Sequence, residues 1–96
     1  MFLKKYLNNF YYNELLENYR IEYLNMLDEQ QFLKIYKLLI EYKFYYIEDI
    51  IIKYLEMFEL DYDIVKSKLD SIKKILGNNF VYIIGNNMNY LNEILK

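Results

Sequence analysis

The stretch between Asp61 and Gly77 limits the fold of this chain most, because its apolar residues are spaced for one face of an α-helix. Positions i, i+4, i+7 and i+11 of this stretch are Val65, Leu69, Ile72 and Leu76. Asp is a favourable N-cap, and Gly is the usual residue at a left-handed helix end. We therefore predict a helix over residues 61–76. Its outer side is polar and short-chained, with Asp63, Ser67, Asp70, Ser71 and Lys74, flanked by Lys66 and Lys73.

Apolar residues at helical spacing also occupy the first half of the chain. Residues 2–9 and 13–27 predict one long or two short helices. Asp28 is placed to cap a further helix over residues 29–42. The N-terminal part of the chain is thus expected to be helical throughout.

A short β-favouring tract, residues 45–47, follows. Glu48 and Asp49 come next, and acidic side chains are favourable at a helix N-terminus. We expect the apolar run of residues 50–58 to continue as a helix.

The chain has 96 residues, which is enough for one small domain with a modest core. It has no Cys, so we expect neither a disulfide nor a thiolate metal site, and a cytoplasmic setting is the default. We also expect no signal peptide, membrane span or cofactor. An abundance of Ile, Lys, Asn and Tyr, with no Ala, no Pro and Arg20 as the one arginine, suggests an AT-rich genome such as that of a low-GC bacterium, a plasmid, a phage or a large DNA virus.

Residues 80–91 fit two structures. As a hairpin that turns at Gly85 and Asn86, the segment pairs Ile83 with Met88 and Val81 with Tyr90. As a helix, it forms an apolar stripe but keeps Gly85 in its interior, at a cost of about 1 kcal/mol relative to Ala. That cost favours the hairpin, whereas a helix would close an all-α bundle.

The order of helix, short strand, helix, capped turn, helix, Gly and hairpin resembles a winged helix-turn-helix over residues 30–91. The resemblance implies a mainly α (α+β) fold, with residues 1–27 as a helical extension and 28–96 as the core. It also implies that the helix of residues 61–76 enters the major groove of duplex DNA. The DNA-binding residues would be Lys66, Ser67, Asp70, Ser71, Lys73 and Lys74, with Asn86 and Asn87 at the wing tip.

The apolar residues of positions 47–58 recur 33 positions later. Ile47, Ile50, Ile51, Leu55 and Phe58 are followed by Phe80, Ile83, Ile84, Met88 and Leu91. This spacing suits a helical repeat and resembles the repeats of mitochondrial transcription termination factors. Those repeats carry proline and occur in several copies, whereas this chain has no proline and two copies.

Catalysis is not expected. There is no His or Cys, and the serines, Ser67 and Ser71, share one helix face, so no nucleophile is paired with a base. The acidic pairs Glu48–Asp49 and Asp61–Asp63 are explained by helix starts rather than by a metal site.

Two functions remain open from the sequence. The first is a small protein that binds duplex DNA, as a transcriptional regulator or an accessory factor in plasmid or phage DNA processing, and that forms a homodimer through residues 2–27. The second is an acidic helical module for protein–protein contact, such as an inhibitor, an immunity protein or an adaptor. In that case residues 41–61, with six acids and two lysines, would form the binding face.

Overall fold

A computed structural model describes all residues from 1 to 96, and every regular element in it is helical. There are seven α-helices and three 3₁₀ helices. The α-helices are α1 (Asn9–Asn18), α2 (Ile21–Met26), α3 (Glu29–Glu41), α4 (Ile47–Lys53), α5 (Tyr62–Leu76), α6 (Phe80–Asn86) and α7 (Asn92–Leu95). The 3₁₀ helices are η1 (Phe2–Lys5), η2 (Leu55–Glu59) and η3 (Met88–Leu91).

Most of the chain consists of two copies of one unit, in which two α-helices are followed by a 3₁₀ helix. Unit 1 comprises α3, α4 and η2, and unit 2 comprises α5, α6 and η3. Each element of unit 2 begins 33 residues after its counterpart: Tyr62 after Glu29, Phe80 after Ile47, and Met88 after Leu55. The recurrence of apolar residues in the sequence is therefore a repeat of structure as well.

The predicted hairpin of residues 80–91 is wrong. The segment forms α6 and η3, and because the chain has no strand, it has no wing. The all-α alternative is confirmed. Gly85 lies inside α6, where a Cβ atom would come within 2.9 Å of Cε1 of Tyr46, so any other residue at this position would force the ring to move.

Several predicted helix ends are confirmed. The Asp28 side chain accepts a hydrogen bond from the Gln31 N–H at 3.0 Å and so caps α3. Asp61 occupies the N-cap position of α5, although its side chain makes no capping hydrogen bond. Gly77 ends α5 with φ of 86° and ψ of −168°, a backbone conformation that is essentially restricted to glycine.

Two local predictions are wrong. Residues 45–47 form no strand, and α4 begins at Ile47. The helix expected over residues 50–58 is interrupted at Tyr54, where α4 has ended and η2 begins.

One cluster of 23 buried side chains forms the core, and all of them are apolar or aromatic. Residues 1–27, here called the N-terminal segment, contribute Leu3, Leu7, Leu15 and Leu24 to it. This segment therefore packs over its own chain, but Phe10, Ile21 and Met26 remain 71%, 45% and 83% exposed on it, so the dimer through residues 2–27 stays a prediction. No helix combines the length and the apolarity needed to cross a bilayer.

Candidate interaction surface

The outward side of α5 holds most of the residues predicted to bind DNA. A shallow depression on this side is lined by polar side chains alone: Asp63, Lys66, Ser67, Asp70, Ser71 and Lys74. They come together because they lie opposite the buried Val65, Leu69 and Ile72 of the same helix. The sequence placed them correctly on one exposed face.

Asp70 is occupied by contacts within the chain. Lys66 Nζ lies 3.0 Å from Asp70 Oδ2, and the Tyr42 hydroxyl donates to Asp70 Oδ1. Hydrogen bonds from Tyr42 and Lys66 hold the pKa of the Asp70 carboxyl below its ordinary value of 3.8. A permanent negative charge therefore sits in the middle of the face expected to meet phosphates, and it neutralises Lys66.

The remaining predicted DNA-binding residues do not extend this face. Lys73 Nζ lies 5.9 Å from the centroid of the Phe80 ring, in a cation–π contact. Asn86 is the last residue of α6, and Asn87 Oδ1 accepts from the Asn89 N–H at 3.2 Å to cap η3. Neither asparagine is at a wing tip, because the segment is helical.

Three of the six acids in residues 41–61 accept hydrogen bonds from the N-terminal segment, although Glu56 and Glu59 remain exposed. Tyr19 donates to Glu56 at 3.4 Å, Tyr23 donates to Glu59, and the Asn8 N–H donates to Glu48 at 3.2 Å. The predicted acidic binding face is therefore, in good part, the docking surface for this protein's own N-terminus.

These tyrosines are strongly perturbed by their surroundings. Burial, reinforced by the Glu56 carboxylate, raises the pKa of Tyr19 from 10.0 to about 12. Burial and the hydrogen bond to Glu59 raise the pKa of Tyr23 as well. Each hydroxyl thus stays protonated and donating at neutral pH, and each pair joins the N-terminal segment to η2.

A similar tyrosine–carboxylate hydrogen bond holds the start of the chain against unit 1. Glu29 accepts from the Tyr6 hydroxyl at 2.8 Å and forms an ion pair with Lys5, also at 2.8 Å. The Tyr6 ring packs against Phe32 and Tyr36 of α3, with ring centroids 5.1 and 5.2 Å apart. These contacts place the N-terminal segment on one side of unit 1.

Unit 2 covers a different side of unit 1. Ile35, Leu38 and Tyr42 stand at i, i+3 and i+7 on α3, and the first two are buried. Tyr42 contacts unit 2 directly. Its ring meets the Phe80 ring edge-on, with centroids 5.8 Å apart, and its hydroxyl donates a hydrogen bond to Asp70. Tyr42, at the C-terminal end of this stripe, is therefore a point at which α3 receives unit 2.

The matching side of unit 2 receives no further two-helix unit, and of the elements that follow, the four-residue α7 packs against α5. The positions 33 residues after that stripe are Lys68, Ser71 and Ile75. Ile75 is 82% exposed, and Ile64, one turn before Lys68, is 45% exposed. We call these four residues, Ile64, Lys68, Ser71 and Ile75, the open stripe. Within the open stripe, Lys68 Nζ donates a hydrogen bond to the Ile94 carbonyl of α7, at 3.1 Å.

The chain holds no group of three or more acidic side chains placed to share a metal ion, and no polar side chain is buried. Ser67 and Ser71 are both exposed on α5.

Comparison of the chain with protein-family models, curated proteins and solved structures finds no match. Neither the open stripe nor the tyrosine–carboxylate pairs were predicted from the sequence. The stripe was detectable in principle, because the 33-residue repeat aligns Tyr42 with the exposed Ile75. The pairs were not, because their members are 36 or 37 residues apart and have no shared pattern.

Proposed function

We propose that this protein is a helical-repeat interaction module that binds a protein partner through the open stripe of α5. The observation that carries the proposal is the difference between the two units. In unit 1 the stripe residues Ile35 and Leu38 are buried and Tyr42 contacts unit 2, whereas Ile75, the counterpart of Tyr42 in unit 2, is 82% exposed. Stacked helical repeats bury such sides against the next unit, so an exposed one offers a place for another helical surface.

The experiment is site-specific photo-crosslinking in the cells that produce the protein. A benzophenone amino acid at position 75 should crosslink to a polypeptide of defined mass, and excess wild-type protein should compete for it. Position 40 of α3 is the matched control, because Ile40 is 51% exposed but lies outside the stripe. Equal crosslinking at both positions, or none at position 75, would contradict the proposal.

Duplex DNA is the second candidate partner, and one observation favours it. Residues 62–96 contain five lysines and three acids, so positive charge is concentrated in the part of the chain that carries α5. Phosphate contacts from Lys66, Lys73 and Lys74 would supply sequence-independent affinity, while Ser67 and Ser71 would face base edges.

A salt titration of DNA binding tests this candidate. Each lysine lost from the triple variant Lys66→Ala, Lys73→Ala, Lys74→Ala should lower the slope of log K against log salt by roughly one. Asp70→Asn removes a negative charge and releases Lys66, so it should strengthen binding to phosphates. Absence of wild-type binding near ~50 mM salt, or unchanged binding by the triple variant, excludes DNA as the partner of this face.

A further inference from the structure

We infer that the partner at the open stripe is a second copy of this chain, whose helix α1 packs on the stripe head to tail. This inference rests on the proposed function and names the partner for that same site. It follows from the shape, the apolar residues and the charges at the two ends of the molecule.

The first end is the outer side of α1. Leu15 is buried, whereas its neighbour Leu16 is exposed, and Phe10 is 71% exposed. The helix also carries Glu14 and Glu17 and no basic residue. Phe10, Glu14 and Glu17 together line a shallow depression on this side. The outer side of α1 is therefore apolar and acidic.

The second end is the open stripe, which is apolar and basic. Ile64 and Ile75 stand about 16 Å apart along the helix, at the 1.5 Å rise of an α-helix. Lys68 lies between them and Lys74 is adjacent; of the two acids on this side of α5, Asp70 is paired with Lys66, and Asp63 precedes Ile64. Lys68 Nζ also donates a hydrogen bond to the Ile94 carbonyl. Contact between α1 and the stripe pairs apolar with apolar side chains and places carboxylates beside ammonium groups.

The two ends are on different parts of the chain and contact unit 1 through different residues. The N-terminal segment is held by residues of unit 1: Glu29, Phe32, Glu48, Glu56 and Glu59. Unit 2 packs on unit 1 through Phe80, which meets Tyr42 and Phe44 edge-on. A dimer in which each end met its own copy would bring two acidic or two basic ends together, whereas a head-to-tail contact pairs unlike ends. Such a contact uses different surfaces on each copy and leaves one of each free, so it propagates.

The test uses sedimentation of the purified chain and two blocked variants. Phe10→Glu replaces the exposed phenylalanine of α1 by a carboxylate that would be buried against isoleucine in the contact. Ile75→Glu places a carboxylate in the open stripe, where it would be buried in the contact and would repel Glu14 and Glu17 of the second copy. Wild-type mass should rise with concentration beyond twice the 12.0 kDa of the monomer. Each variant alone should stay monomeric, and an equimolar mixture should form a dimer that grows no further, because one intact face of each kind remains.

Several outcomes would overturn the inference. These are a wild-type chain that stays monomeric, a Phe10→Glu chain that still dimerises, a mixture that stays monomeric, or an Ile40→Glu control that loses association. Both substituted residues are exposed, and thermal unfolding by circular dichroism verifies that the variants fold. If the purified wild type is monomeric while position 75 crosslinks to a polypeptide of other mass in cells, the second copy is excluded and the proposed function stands.

Discussion

Tyr46 and Gly85 are in contact across the two units: the Tyr46 ring lies so close to α6 that a Cβ atom on residue 85 would stand 2.9 Å from Cε1. The Tyr46 hydroxyl donates to the Val81 carbonyl, one turn earlier on the same helix. The hydrogen bond of its hydroxyl holds the Tyr46 ring against α6, so the ring has little freedom to move away from residue 85.

Gly85→Ala should therefore destabilise the protein, although alanine is the better helix former by about 1 kcal/mol. Overpacking against a fixed ring costs about 1–3 kcal/mol, which exceeds the gain in helix propensity. The measurement is urea denaturation of Gly85→Ala, of Tyr46→Ala and of the double variant. In the Tyr46→Ala background, Gly85→Ala should become stabilising. Additive effects in this cycle would contradict the steric account.

The two left-handed turns give a second prediction. Gly77 ends α5 with φ of 86°, and Lys43 has φ of 69° in the corresponding turn after α3. A Cβ atom at residue 77 would have no neighbour within 4 Å, so the cost of Gly77→Ala comes from the backbone alone. We expect a loss of about 1–3 kcal/mol. Lys43→Gly should instead stabilise the protein by about 0.5–1 kcal/mol, because it relieves a left-handed conformation at some cost in unfolded-state entropy. Urea midpoints that move in the same direction for both variants would be inconsistent with this.

The N-terminal segment should unfold together with the rest of the chain. Leu15 is fully buried and Leu16 is exposed, so two adjacent leucines on one helix form a matched pair. Leu15→Ala should lower the free energy of unfolding by about 2–5 kcal/mol, whereas Leu16→Ala should change it by less than about 0.5 kcal/mol. Chemical denaturation of both variants measures this. Equal and small effects would show that residues 1–27 are not part of the cooperative core.

Stability should fall at alkaline pH. Tyr19 has a pKa of about 12 in the folded chain against 10.0 when exposed, so the folded state holds its proton more tightly. Its contribution is fully present below pH 10 and is lost as the pH rises from 10 towards 12. Tyr23 shifts in the same direction. The urea midpoint between pH 8 and 12, compared for the wild type and the double variant Tyr19→Phe, Tyr23→Phe, measures the effect. A double variant with an unchanged pH dependence would rule out these two tyrosines as its cause.

Local rules predicted the parts of the fold that local energetics controls. The apolar spacing of residues 65–76 located α5 to within one residue, and the Asp28 cap and the Gly77 stop are as expected from backbone chemistry. The same rules failed at Gly85, because the cost of glycine in a helix is smaller than the packing that requires it there. They also failed at Asp70, whose partner Tyr42 is 28 residues away.

The sequence by itself determined that this chain is helical over most of its length, and that one pattern of apolar positions occurs twice, 33 residues apart. Both properties follow from spacing along the chain, which sets the faces that each helix buries. Only the tertiary structure decided which of those faces are covered. The order in which the segments stack decides that Ile75 is exposed, that Leu38 is buried and that Glu56 meets Tyr19. That order brings together residues far apart in the chain, and their contact energies have no signature in local sequence.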